Sequence, residues 1–162
     1  MRHGLAADLD SQGLLNDAAR PLTPQGERKL RAITKWMGGM ELSFDLIWFS
    51  PCLRARQTAA IVAHGLQAEG RLKAADCLLP QAQPGKVVEA LRRLAPQPES
   101  VLLVGHEPGL SELISLLATG TLSLGIALKK GGLCKLRAES LEPGRVAVLE
   151  WLLTPKQMIR GE

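Results

Sequence analysis

Three short segments of this chain gather side chains suited to holding and attacking an anionic group: Arg2-His3-Gly4, Ser50-Pro51-Cys52-Leu53-Arg54-Ala55 and Gly105-His106-Glu107-Pro108. A guanidinium is a planar fork of donors matched to phosphate or carboxylate oxygens, and the N-terminus of a helix adds unpaired N–H groups. A neutral imidazole carries a ring nitrogen able to attack an electrophile. Two guanidiniums, two imidazoles and one helix start, brought together, would fix positive charge where transferring oxygens come to lie. That is what a phosphoryl-transfer pocket working without a metal requires.

The elements around these segments explain how they would meet. Phe44–Phe49 is a nearly continuous apolar run, as expected of a strand buried on both faces, and it leads directly into Ser50-Pro51 and a helix running to about His64. Val101–Val104 is a second such strand, followed by Gly105-His106 and a helix with Leu110, Leu113, Ile114 and Leu117 on one face. Further helices are predicted over Pro24–Met40, with Thr23 as N-cap and Pro24 in the first position, and over about Gly85–Leu94. Two last strands are predicted near Leu133–Arg137 and Val146–Leu152, joined by the turn Glu142-Pro143-Gly144. Strands alternating with helices predict an α/β fold of three layers, a mostly parallel central sheet with helices on both faces. In such sheets ligands bind beyond the carboxyl ends of the strands, which is where the chemistry-bearing segments lie.

Composition narrows the function further. With 162 residues, one domain spanning 1–162 is the expectation, and a chain of this size buries enough surface to fold without a metal or disulfide. Hydrophobic residues make up 46% and charged residues 22%, too apolar a balance for a disordered chain. Aromatics are only 3%, with no Tyr, so stacking platforms for single-stranded nucleic acid are excluded. The formal charge of +4 suits an anionic substrate without any Lys/Arg run that would track a nucleic-acid backbone. Cys52, Cys77 and Cys134 form no CxxC pair, so neither a disulfide framework nor a zinc site is expected, and a reducing cytoplasm fits. The longest uncharged stretch, Leu113–Leu128, is broken by Thr, Ser and Gly and is too short to span a membrane, and no signal peptide is read at the start.

The set RHG, SPxxRA and GHEP, in this order and each at a strand end, resembles the histidine phosphatase superfamily. The forms RHGLA, SPCLRARQTA and GHEPGLS are similar to its small phosphohistidine phosphatase branch, the SixA type. The resemblance implies a phosphoglycerate-mutase-like fold, His3 as nucleophile forming a covalent phosphohistidine, and Arg2, Arg54, His106 and Gly4 as the phosphate-binding set. It implies no cofactor and no metal. Its partners would be a phosphorylated protein, such as a phosphorelay histidine domain, or a small phosphorylated molecule. Arg2 and Arg54 beside His3 would disfavour an imidazolium, and its second ring nitrogen would donate to a backbone carbonyl near Gly4. His106 would donate to a non-bridging oxygen, most strongly when protonated.

Two departures from the family pattern matter. Only Met1 precedes Arg2, so the first strand is missing from this numbering, and the expectation is that a longer chain supplies it. The stretch that faces the leaving group in the family, here Leu78–Gln83, has no carboxylate, leaving Glu107 and Asp76 as the possible acids. An alkoxide needs proton donation worth typically 10²–10⁴-fold, whereas the imidazole of a phosphoramidate takes its proton from solvent. The reading therefore favours a phosphohistidine substrate. The alternatives are a broad small-molecule phosphomonoesterase and a phosphate-binding module without turnover.

Other residues have plainer readings. A cysteine-phosphatase loop beginning at Cys52 would need Arg at position 58, which is Thr58. Asp8-x-Asp10 is similar to the aspartyl pair of magnesium-dependent haloacid-dehalogenase phosphatases but follows no strand, and His3, His64 and His106 lack zinc-site spacing. His64 suits a helix C-terminus, Arg56 a surface helix, and Trp36 and Trp48 the core. Lys129-Lys130-Gly131-Gly132 reads as a turn before a strand, or as a basic rim for an acidic partner.

Overall fold

The structure, a computed structural model, describes residues 1–8, 16–141 and 146–159. Three parallel strands form its centre: β1 (Leu46–Phe49) lies between β2 (Leu72–Ala74) and β3 (Val101–Val104). Ile47 is paired with Leu102 and Phe49 with Val104, so β1 and β3 end level with one another. Side chains alternate across this sheet as strand geometry requires. Ile47, Leu102 and Val104 enter one core with Leu30, Ile33 and Met37 of α1 (Pro24–Gly39) and Ala55, Ala59 and Val62 of α2 (Leu53–Gly65). Trp48 and Leu103 enter the other, with Val87 and Leu91 of α3 (Pro84–Arg92) and Leu113 and Leu117 of α4 (Gly109–Thr119). Helices thus cover both faces, as the apolar runs required.

The helix ends follow the sequence cues. Thr23 Oγ1 accepts the Gly26 N–H at 3.0 Å, and Pro24 opens α1. Gly120, at φ 79°, ends α4 in the left-handed region where a side chain is disfavoured. The predicted helix over 85–94 is shorter at its C-terminal end, since Arg93 caps it.

The last two strands stand apart from the parallel sheet. β4 (Leu133–Ala138) and β5 (Ala147–Leu153) form an antiparallel pair of their own, followed by α5 (Pro155–Ile159). The expected turn 142–144 lies outside the described residues. Strand β2 was not foreseen, because three residues with a central Lys73 carry no periodic signal. Met1–His3 lie on the edge of β3 away from β1. Gly105 N–H donates to Met1 O at 3.2 Å and His3 N–H to Gly105 O at 3.0 Å, while Arg2 N–H donates to Gly132 O at 3.1 Å. The short segment therefore ties the parallel sheet to the hairpin, and it places His3 beside the C-terminal end of β3. No helix among the described residues is long and apolar enough to cross a membrane.

Candidate active site

The three segments converge at the carboxyl ends of β1 and β3. His3 and His106 are both buried, with ring centroids 5.0 Å apart and planes tilted by 53°. Nδ1 of His3 lies 2.7 Å from Gly4 O, an acceptor, so Nδ1 carries the ring proton and Nε2 keeps its lone pair. Arg54 Nε–H points at that lone pair from 3.3 Å. The His3 pKa is pushed down to about 3, first by burial, with smaller contributions from His106, Arg54 and Arg2 against the Gly4 hydrogen bond. The sequence reading credited the arginines. Burial is the larger cause, and the outcome is the same neutral imidazole at pH 7.

His3 and its neighbour Arg54 share one anchor. Thr58, one turn beyond Arg54 on α2, donates to Arg54 O at 2.7 Å and accepts the Gly4 N–H at 3.0 Å. Gly4 in turn fixes the His3 ring. A Cβ at position 4 would lie 2.6 Å from Leu30 Cδ1, so any side chain there would force the buried Leu30 to shift. Thr58, which sequence reasoning used only to dismiss a cysteine loop, is thus what ties α2 to the His3 segment. Arg56 is exposed, whereas Arg54 is buried, as the SPxxRA frame required.

Arg2 sends Nη1 to Leu128 O at 3.0 Å, and its Nε is buried with no partner among the described residues. His106 Nε2 lies 2.9 Å from the fully buried Ser50 Oγ, and its Nδ1 is also buried without a partner. The Cys52 N–H approaches the same Ser50 Oγ at 3.4 Å, so the serine oxygen is shared between the start of α2 and the His106 ring. Burial and then Arg54 lower the His106 pKa to about 4, so before any anion arrives this ring is neutral rather than protonated. Buried polar atoms without partners are uncommon in folded proteins. Here two of them, with Arg54 Nε, come from the groups around His3.

The candidate acids are placed differently. Both oxygens of Glu107 are engaged at the start of α4, accepting Ser111 N–H at 3.2 Å and Ser111 Oγ–H at 2.7 Å. Asp76 is exposed in the single turn Asp76–Leu78. The stretch that follows is apolar where it meets the site: Leu78, Leu79 and Ala82 line a small recess with His106 and Leu110. A carboxylate that the sequence reading did not single out reaches the cations instead. Asp17 accepts Arg54 Nη2 at 2.9 Å through Oδ2, and its carbonyl accepts Arg54 Nη1 at 2.6 Å. Nothing in the aperiodic run around Asp17 marks it in the sequence.

The remaining candidates lie elsewhere. His64 is exposed near the far end of α2, about 15 Å along the helix from Arg54, and pairs with Glu69 at 3.0 Å, so the three histidines do not converge. Cys52 is buried at the N-cap of α2. Asp8 is exposed and Asp10 lies outside the described residues. Lys129 and Lys130 are exposed in the expected turn before β4, and Gly131 N–H donates to His3 O at 3.0 Å. Trp36 meets Trp151 edge-on and Trp48 is in the core.

Comparison with known proteins finds the same arrangement of chain elsewhere. Residues 1–75 match the model of the histidine phosphatase superfamily, branch 1. A Picosynechococcus protein of uncharacterized function is 36% identical over 138 residues, covering 85% of this chain and 82% of its own. The phosphohistidine phosphatase SixA of Escherichia coli is 33% identical over 121 residues, covering 74% of this chain and 73% of its own. Among solved structures, the protein histidine phosphatase SixA complexed with tungstate superposes with a TM-score of 0.84 at 28% identity, covering 98% of this chain and 96% of that one.

Proposed function

Because this chain belongs to the histidine phosphatase superfamily, we propose that it is a phosphohistidine phosphatase that works without a metal through a covalent intermediate on His3. The observation that carries this reading is the pairing of a buried, neutral His3, its Nδ1–H committed to Gly4 O, with the Nε–H of Arg54 directed at its free Nε2. Arg2, Arg54 and His106 supply donors around that nitrogen, and the chain's likeness to a structure that holds tungstate supports an oxyanion there.

The chemistry follows from these groups. The substrate imidazole, protonated from solvent on its distal nitrogen, carries phosphorus on the other. The His3 Nε2 lone pair attacks phosphorus in line, and the electron pair of the breaking P–N bond leaves with the substrate imidazole, now neutral. Because Nδ1 keeps its proton against Gly4 O, the phosphorylated ring is cationic and is itself a good leaving group. Water then attacks phosphorus, the P–Nε2 electron pair returns to His3, and dihydrogen phosphate departs. Arg2, Arg54 and His106 would hold the equatorial oxygens through both steps. Neither step asks the protein for a positioned acid, in agreement with the apolar side chains of Leu78, Leu79 and Ala82 beside His106.

The test is a series of phosphoramidate, aryl phosphate and alkyl phosphate substrates assayed in excess EDTA. Phosphoramidates should be the fastest, and ester rates should fall steeply as leaving-group pKa rises. A flat dependence would make the protein a small-molecule phosphomonoesterase with an acid of its own, and loss of activity in EDTA restored by magnesium would contradict the metal-free mechanism.

A further inference from the structure

Asp17 makes a contact that the proposed chemistry does not use. An arginine has two donor edges: the end-on edge formed by Nη1 and Nη2, and the side-on edge formed by Nε and Nη2. Asp17 takes the end-on edge of Arg54 whole, through its carbonyl at 2.6 Å and its Oδ2 at 2.9 Å. The side-on edge is thereby turned to His3, with Nε 3.3 Å from Nε2. Asp17 is itself braced. Arg20 Nη1 donates to its Oδ1 at 2.8 Å, and Arg20 Nε donates to Ala7 O at 2.7 Å. The chain beyond is tied back to α2 by Gln57 Oε1, which accepts the Leu22 N–H at 2.7 Å.

We infer that Asp17 is a positioning residue for phosphoryl transfer, gripping the far edge of Arg54 so that the near edge meets the phosphoryl oxygens, while its negative charge loosens the hold on free phosphate. The inference rests on the phosphatase reading of this site. Orientation matters because a guanidinium on a long side chain rotates freely unless one edge is fixed, and a misplacement of about 1 Å can cost on the order of 100-fold. The charge matters because a carboxylate bonded to Arg54 opposes a second anion at the same guanidinium. Asp17 is not the missing acid in this arrangement. Both its oxygens accept from guanidiniums, and Arg20 foremost, with Arg54, holds its carboxyl below the usual range.

Two variants separate grip from charge. Asp17→Asn keeps the backbone carbonyl and a side-chain acceptor but removes the charge, whereas Asp17→Ala removes both acceptor and charge. Calorimetry with inorganic phosphate should show several-fold tighter binding to Asp17→Asn than to the wild type. Turnover should stay within a few-fold of wild type for Asp17→Asn. For Asp17→Ala it should fall by about tenfold or more, by the same factor for aryl and alkyl phosphates. Unchanged phosphate affinity and unchanged kcat in both variants would overturn the inference and leave the phosphatase reading standing. Equal losses in the two variants, growing with leaving-group pKa, would overturn it by making Asp17 the acid. A wild type that neither binds phosphate nor turns over phosphoramidates would overturn both readings together.

Discussion

The two sides of the site are built by different means. On one, α2 and the His3 segment lock each other through a continuous set of hydrogen bonds: Arg54 O to Thr58, Thr58 to Gly4, Gly4 to His3, and Arg54 Nε to His3 Nε2. On the other, beyond His106, the wall is Leu78, Leu79, Ala82 and Leu110, which offers contact and no charge. A site so uneven specifies the phosphoryl group closely and asks little of what departs from it. That suits a P–N bond, whose leaving imidazole needs no acid from the protein.

The largest expected effect is on the locked side. Arg54→Lys keeps a charge but loses the fork that engages both Asp17 and His3, so kcat/KM should fall on the order of 10²-fold. Arg56→Lys, on an exposed position of the same helix, should leave steady-state kinetics unchanged. Equal effects at the two positions would erase the contrast between buried fork and surface cation.

Acid should also strike the locked side first. His3 and His106 have folded pKa values lowered to about 3 and about 4, against about 6.5 when unfolded. The unfolded chain therefore binds protons that the folded one refuses. Their contribution to stability is complete above about pH 6.5 and drains as pH falls toward the folded values, at about 1.4 kcal/mol per pH unit for each imidazole. Urea midpoints measured between pH 7 and pH 4.5 should fall accordingly, and the fall should be clearly smaller in a His3→Asn/His106→Asn double variant. Parallel curves for the two proteins would show that the imidazoles are not held neutral by burial.

The smallest effect is expected on the apolar wall. Leu79 is only half-buried and offers no donor or acceptor, so Leu79→Ala should change kcat/KM for a phosphoramidate by less than about fourfold, the worth of roughly one buried methylene. A loss comparable to that of Arg54→Lys would mean that this wall selects the leaving group.

Legibility in the sequence follows the same division. Arg54 and His106 stand in short patterns just beyond two apolar runs, so residue type and strand position together brought them to one edge of a sheet, whereas Arg2 and His3 were read from their RHG pattern alone. The helices α1 and α4 were readable from apolar spacing, with Thr23 and Pro24 marking the start of α1, and α2 from its place after the strand and Ser50-Pro51. Asp17, Ser50 and Thr58 were not read for what they do, because each acts through a contact made only in the folded chain, between positions as far apart as Gly4 and Thr58 or Ser50 and His106. Strand β2 escaped because three residues carry no period. The separation of β4 and β5 into a sheet of their own escaped because strand patterns reveal strands but not the sheet they join.

The central claim is that phosphate passes through His3 Nε2. The direct measurement is to quench a turnover reaction of the full chain with 32P-labelled phosphoramidate and map the label by peptide sequencing. The account predicts label on His3, stable to alkali and released by acid. Label on an aspartate, or continued turnover with no labelled His3 at any quench time, would contradict it.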